Sequence, residues 1–195
     1  GKDAVQLYYE KKKTEGRIIL KKKTKVLHGH ITIKEYEKMI DIHPFISEIP
    51  IITWVRNPVD RVISNYYYLL EILSKQLEPY KNETPGLQKR MIRSLEEFIR
   101  FRGHQNLMCR YINLEWVNSK KLIFIGDIGQ YSIHLNKLAE LFKWSNIKEY
   151  DYNKTKSKLT VNPDTIKLIE KLNSRDIELY NSLIEQGANQ PPTSL

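Results

Sequence analysis

An α/β fold with a mainly parallel central sheet is the class this chain predicts, and three observations carry the prediction. Short β-branched apolar runs at residues 49–55 and 121–127 read as buried strands, each followed by a stretch with helical spacing of apolar residues. Strand and helix patterns alternate, as parallel sheets with crossover helices require. The length of 195 residues and a hydrophobic fraction of 41% suit one core, so residues 1–195 are read as a single domain without internal repeats.

Along the chain, the first 27 residues hold two lysine runs, Lys11-Lys12-Lys13 and Lys21-Lys22-Lys23, and an Ile18-Ile19-Leu20 triplet. Then comes Leu27-His28-Gly29-His30-Ile31, where a glycine between two histidines leaves little bulk to block a ligand. Histidine has the ordinary pKa suited to taking a proton near neutrality, so the pair can do proton chemistry; two ordinary hydrogen-bonded histidines near a strand end are the competing reading. A metal site lacks support, because no cysteine or HExxH-type spacing supplies further ligands.

The run Ile49 to Val55 is the first clear strand, broken only by Pro50. Pro58 suits the first turn of a helix, where its missing N–H costs nothing. This places Arg56 at the carboxyl end of the strand, beside helix-start amides expected to be free, with the Ser64 hydroxyl two turns on. A phosphate there would meet a guanidinium fork, a hydroxyl and a positive helix end. A strand, turn and helix with a solvated arginine is the plainer alternative.

The helix is expected to continue through Tyr66, Leu69, Leu70, Ile72 and Leu73. Turn chemistry follows at Pro79–Gly86, a candidate acceptor-side loop, and then a second helix from Gln88 to Arg102. Lys121–Asp127 reads as a strand ending at glycine, leading into a helix with Ile133, Leu138, Leu141 and Phe142 on its apolar positions. Asn153–Leu159 is a basic, turn-prone loop, and Pro163 to Leu183 reads as one capped helix carrying Ile166, Ile169, Leu172, Ile177 and Tyr180.

Arg56-Asn57-Pro58-Val59-Asp60-Arg61, continued by Ser64, Tyr66 and Tyr67, resembles the 3′-phosphate motif of sulfotransferases that use 3′-phosphoadenosine 5′-phosphosulfate (PAPS). The resemblance is to the carbohydrate-acting branch that includes the heparan sulfate 2-O-sulfotransferases, and it extends over most of the chain. His28-Gly29-His30, the strand and glycine before a helix ending near Trp144, and Leu172-Asn173 with Asp176-Ile177 and Leu179-Tyr180 all look like that group. The segment Gly103–Tyr111 matches loosely a region that borders the acceptor cleft in relatives.

The resemblance implies a P-loop-NTPase-like three-layer fold, PAPS as sulfuryl donor, no metal, and an acceptor hydroxyl on a carbohydrate. It assigns Arg56 and Ser64 to the 3′-phosphate, His30 as base and His28 as its neighbour. Lys154 and Lys158 would close over the nucleotide, although a solvated charge run also explains them. The family's amino-terminal 5′-phosphosulfate loop, with its Lys-Thr/Ser pattern, has no counterpart here. The start at Gly1-Lys2-Asp3 without an initiator methionine favours a piece that lacks this loop.

The net charge of +9 and pI near 9.4 draw anions without choosing among nucleotide, acidic glycan, nucleic acid and anionic lipid. A non-catalytic module binding acidic glycan or nucleic acid is the alternative function, while the enzyme reading expects no nucleic-acid partner. A kinase-like enzyme is disfavoured, since no Walker loop, kinase lysine strand or metal-binding carboxylate set is present. The single cysteine, Cys109, fits a reducing compartment, and no run approaches the roughly 20 apolar residues of a membrane span. A cytoplasmic, bacterial-type protein is therefore expected over a Golgi-lumen one.

Overall fold

The computed structural model describes residues 4–6, 26–28, 31–77, 94–112, 114–115, 122–145, 147–148 and 160–189. Strands β1 (Ala4–Gln6) and β2 (Val26–His28) pair in parallel, with Gln6 opposite His28. Strands β3 (Ile51–Val55) and β4 (Leu122–Asp127) form a second parallel pair, with Trp54 opposite Gly126 and Val55 opposite Asp127. The architecture is mixed α/β. Its described strands form these two parallel pairs, and most of the other described residues are helical.

Helix α1 (Ile33–Ile42) has no counterpart in the periodicity reading, yet its start is written in the chain. Thr32 and Glu35 form a capping box, each side chain meeting the other residue's amide. A 3-10 turn at Pro44–Glu48 then delivers β3, which begins at Ile51, after the Ile49-Pro50 step expected inside it. Proline has no N–H for a ladder, so the strand starts past it.

Helix α2 (Pro58–Leu77) follows β3 after two residues. Helix α3 (Leu95–Arg100) begins at a second capping box, Ser94 with Glu97. It ends two residues before the expected Arg102, which belongs to a 3-10 turn, Arg102–His104; residues 88–93 lie outside the described set. After β4 comes helix α4 (Tyr131–Phe142). Its buried face is Leu135, Leu138 and Ala139, whereas Ile133, expected on that face, is 55% exposed.

The closing helix is a correction to the sequence reading: the single element from Pro163 to Leu183 is two, α5 (Pro163–Leu172) and α6 (Ser174–Asn189). The break is Asn173. Its backbone leaves helical geometry at φ −120° and ψ 27°, and its side-chain Nδ2 donates to the Ile169 carbonyl at 2.9 Å. Asparagine readily satisfies backbone groups with its own side chain, which is why it interrupts helices.

Two larger clusters make most of the described core. Val55, Ile125 and Leu122 from the β3/β4 pair pack with Met108, Ile112 and the α6 residues Leu179 and Leu183. Val62, Phe98, Ile99 and Ile169 join α2, α3 and α5. Thus α2 packs against α3 and the carboxyl-terminal helices.

Gly126 has a packing reason. A Cβ placed there would lie 2.3 Å from Trp54 Cε3, on the body of an indole ring that also packs on Tyr131 at 4.9 Å between centroids. Gly126→Ala is expected to lower stability by about 1–3 kcal/mol through overpacking, read from the urea midpoint. An unchanged midpoint would show that Trp54 swings aside freely.

Candidate functional site

The carboxyl end of β3 and the start of α2 place Arg56 and Ser64. Val55 and Pro58 are buried on either side of the turn, and Arg56 and Ser64 are each half-buried. Among the described residues no hydrogen bond or ion pair engages the Arg56 guanidinium. Counting 1.5 Å per residue, Ser64 lies about 9 Å along the helix from Pro58.

The expectation of free helix-start amides is overturned. Asn57 is the N-cap, and its Oδ1 accepts from the Val59 amide at 2.9 Å and lies 3.4 Å from the Asp60 amide. The helix start is therefore satisfied internally, and Asp60 adds a negative charge in the first turn. The cationic character of the turn rests on Arg56.

Arg61, inside the same motif, does something sequence reasoning did not assign. Its Nη2 donates to Asn173 Oδ1 at 3.0 Å, to the His104 carbonyl at 3.3 Å and to Asp176 Oδ2 at 3.4 Å. Asp176 is fully buried and also accepts from the amides of Met108 and Cys109, both at 3.0 Å. Asn106, held at φ 47°, donates its amide to Asn173 Oδ1 and accepts the Asp176 amide. Burial lowers the Arg61 pKa from its ordinary value, Asp176 opposes that, and Arg110 reinforces it. This network ties α2 to the segment 104–109 and to the α5/α6 break.

A second cluster sits at the end of β4, next to the β3 end in register. Asp127 accepts from Tyr180 Oη at 3.0 Å and from the Gly129 amide at 2.8 Å. Desolvation and the bond to Asp127 push the Tyr180 phenol up to about 12, so it stays a donor. His134 Nδ1 accepts from the Asp127 amide, which puts the hydrogen of the neutral ring on Nε2. Desolvation, with Lys137 adding to it, lowers the His134 pKa, and Asp127 opposes the shift. The signals for this cluster were an acid closing an apolar strand and a tyrosine on the last helix.

The structure brings Arg56 and Ser64 into one strand–turn–helix unit. The backbone of His28 closes β2; His30, Lys154 and Lys158 lie outside the described residues, as do the loops Pro79–Gly86 and Asn153–Leu159. Among the described residues no group of histidine, cysteine, aspartate or glutamate could hold a metal ion. No helix there is long and apolar enough to cross a membrane.

Comparison with curated proteins and with solved structures gives no match. A family model does match, over residues 6–181, from β1 through the strand–turn–helix of Arg56 to Tyr180 in α6. With that coverage, the chain belongs to the sulfotransferase family.

Proposed function

We propose that this sulfotransferase takes its sulfuryl group from PAPS and delivers it to an acceptor hydroxyl on a carbohydrate, within the three-layer fold expected for such enzymes. The observation that carries the reading is Arg56, a half-buried cation at a strand's carboxyl end, where ligands of open α/β sheets bind. Because Asn57 already satisfies the helix-start amides, the Arg56 fork is the main electrostatic attraction offered to a 3′-phosphate, with the Ser64 hydroxyl as a second donor.

PAPS supplies an activated sulfuryl group whose sulfur–oxygen bond to the 5′-phosphate breaks as the acceptor oxygen bonds to sulfur. His30 takes the acceptor's hydroxyl proton, and His28 orients the acceptor or shares the proton. Lys154 and Lys158 close over the nucleotide and offset the charge that accumulates on the departing phosphate. The likeness of the His-Gly-His and closing-helix motifs to the heparan sulfate 2-O-sulfotransferases supports a glycan acceptor.

Calorimetric titration with the product nucleotide, 3′-phosphoadenosine 5′-phosphate, tests the donor site. The protein is expected to prefer it over 5′-AMP, and Arg56→Ala to erase that preference. Losing a charge-assisted contact of about 1.5–3 kcal/mol corresponds to a loss of affinity of roughly 10- to 100-fold. Equal affinity for the two nucleotides in the wild type would remove the 3′-phosphate site.

A further inference from the structure

Arg102, Arg110 and Arg175, all exposed, line one open surface cavity of about 330 Å³ together with Gln105, Asn106 and Cys109. That volume is at the small end of the roughly 300–1,000 Å³ range of ligand pockets, so it suits a compact group rather than a whole nucleotide. Its lining includes neither Arg56 nor Ser64.

Three arginines around one small space add their fields there, which favours an anion between them, although water and salt screen the effect at exposed side chains. Among the described residues no carboxylate provides that anion. Among the described residues, ion pairs join Arg61 to Asp176 and Lys167 to Asp164, and none engages Arg102, Arg110 or Arg175. The nearby acid, Asp176, has its oxygens occupied by the Met108 and Cys109 amides and by Arg61. Asp176 also has no exposed surface to offer a cavity.

The walls are held in place before any ligand arrives. The amides of Asn106 and Cys109 are bonded to Asn173 and Asp176, and Arg175 lies between those two residues in sequence. Gln105 Nε2 donates to the carbonyls of Ile99 and Arg100, both at 3.1 Å, and Arg110 Nη2 lies 3.4 Å from the Arg102 carbonyl. A rigid floor with a cationic rim is what recognition of a planar or tetrahedral oxyanion requires, and guanidinium groups match it with paired donors.

We propose that Arg102, Arg110 and Arg175 form an anion subsite separate from the Arg56 turn, one that holds a sulfate or phosphate-monoester group. The group comes either as the free anion or as a substituent of a larger ligand. The inference rests on this cavity alone and stands independently of the donor reading.

Cys109, the only cysteine in the chain, lines the cavity and reports its occupancy. Desolvation and the bond to Asp176 push its thiol up to about 11, so a neutral maleimide labels it slowly, and an anion in the cavity shields it further. Labelling rates are measured at constant ionic strength with chloride, inorganic sulfate or a sulfated disaccharide. The wild type and an Arg102→Ala/Arg175→Ala variant are compared; both residues are exposed, and the thermal midpoint verifies that the variant is folded.

Inorganic sulfate is expected to slow labelling severalfold and saturably in the wild type, and to have no effect in the variant. Shielding by the sulfated disaccharide alone, lost in the variant, assigns the subsite to a group carried on a larger ligand. No shielding by either probe, or equal shielding in both proteins, overturns the proposal.

Discussion

Asp176→Ala is expected to destabilise the protein by about 3–5 kcal/mol, because it strips a buried carboxylate from a guanidinium and two amides at once. The carboxylate is fully buried, the Arg61 side chain is 19% exposed, and the Met108 and Cys109 amides both lose their acceptor. Arg61 Nε is already buried without a partner, so the variant adds to an existing desolvation cost. Against a typical total of about 5–15 kcal/mol, such a loss shifts the urea midpoint far down. Asp164→Ala is the control, since the Lys167–Asp164 pair is 77% and 87% exposed and contributes at most about 1 kcal/mol. If the two variants unfold at similar urea concentrations, the network is not the clamp its geometry implies.

His30→Ala is expected to lower turnover by about 10²- to 10⁴-fold, the usual contribution of a positioned general base. Affinity for 3′-phosphoadenosine 5′-phosphate is expected to stay near the wild-type value, because the proposed donor contacts are those of Arg56 and Ser64. Unchanged turnover would take His30 out of the chemistry, and a loss confined to nucleotide affinity would move it to the donor site.

Strand–turn–helix order was legible because local signals agreed: β-branched runs at β3 and β4, Pro58 at a first helical position, and alternating element types. What stayed hidden was set by contacts between distant residues. The Asn57 cap could have been read from Asn-Pro, yet its consequence, that Val59 and Asp60 amides are satisfied, emerges only with the side chain placed. The division of one closing helix at Asn173 combines a local bond to the Ile169 carbonyl with bonds to Arg61 and Asn106, 112 and 67 positions away, and no local periodicity encodes the distant pair. Arg56 and Arg61 look equivalent as sequence, and only packing separates them: one is half-buried at the turn and the other is spent on the fold. The three-arginine cavity likewise gathers Arg102 and Arg110 with Arg175, from separate parts of the chain.

The partnership of Arg61 with Asp176 spans 115 positions, and it bears on when the molecule becomes competent during its manufacture. A ribosome releases α2 and its Arg56 turn long before it releases α6. Until then the Arg61 guanidinium has no carboxylate, and the β3/β4 core lacks Leu179 and Leu183. Contacts this distant in sequence form late, after the entropy of closing the loop has been overcome. Affinity for the proposed nucleotide donor is therefore expected to arise abruptly with the last helix rather than growing with chain length, so a nascent chain halted before Asp176 would not bind it.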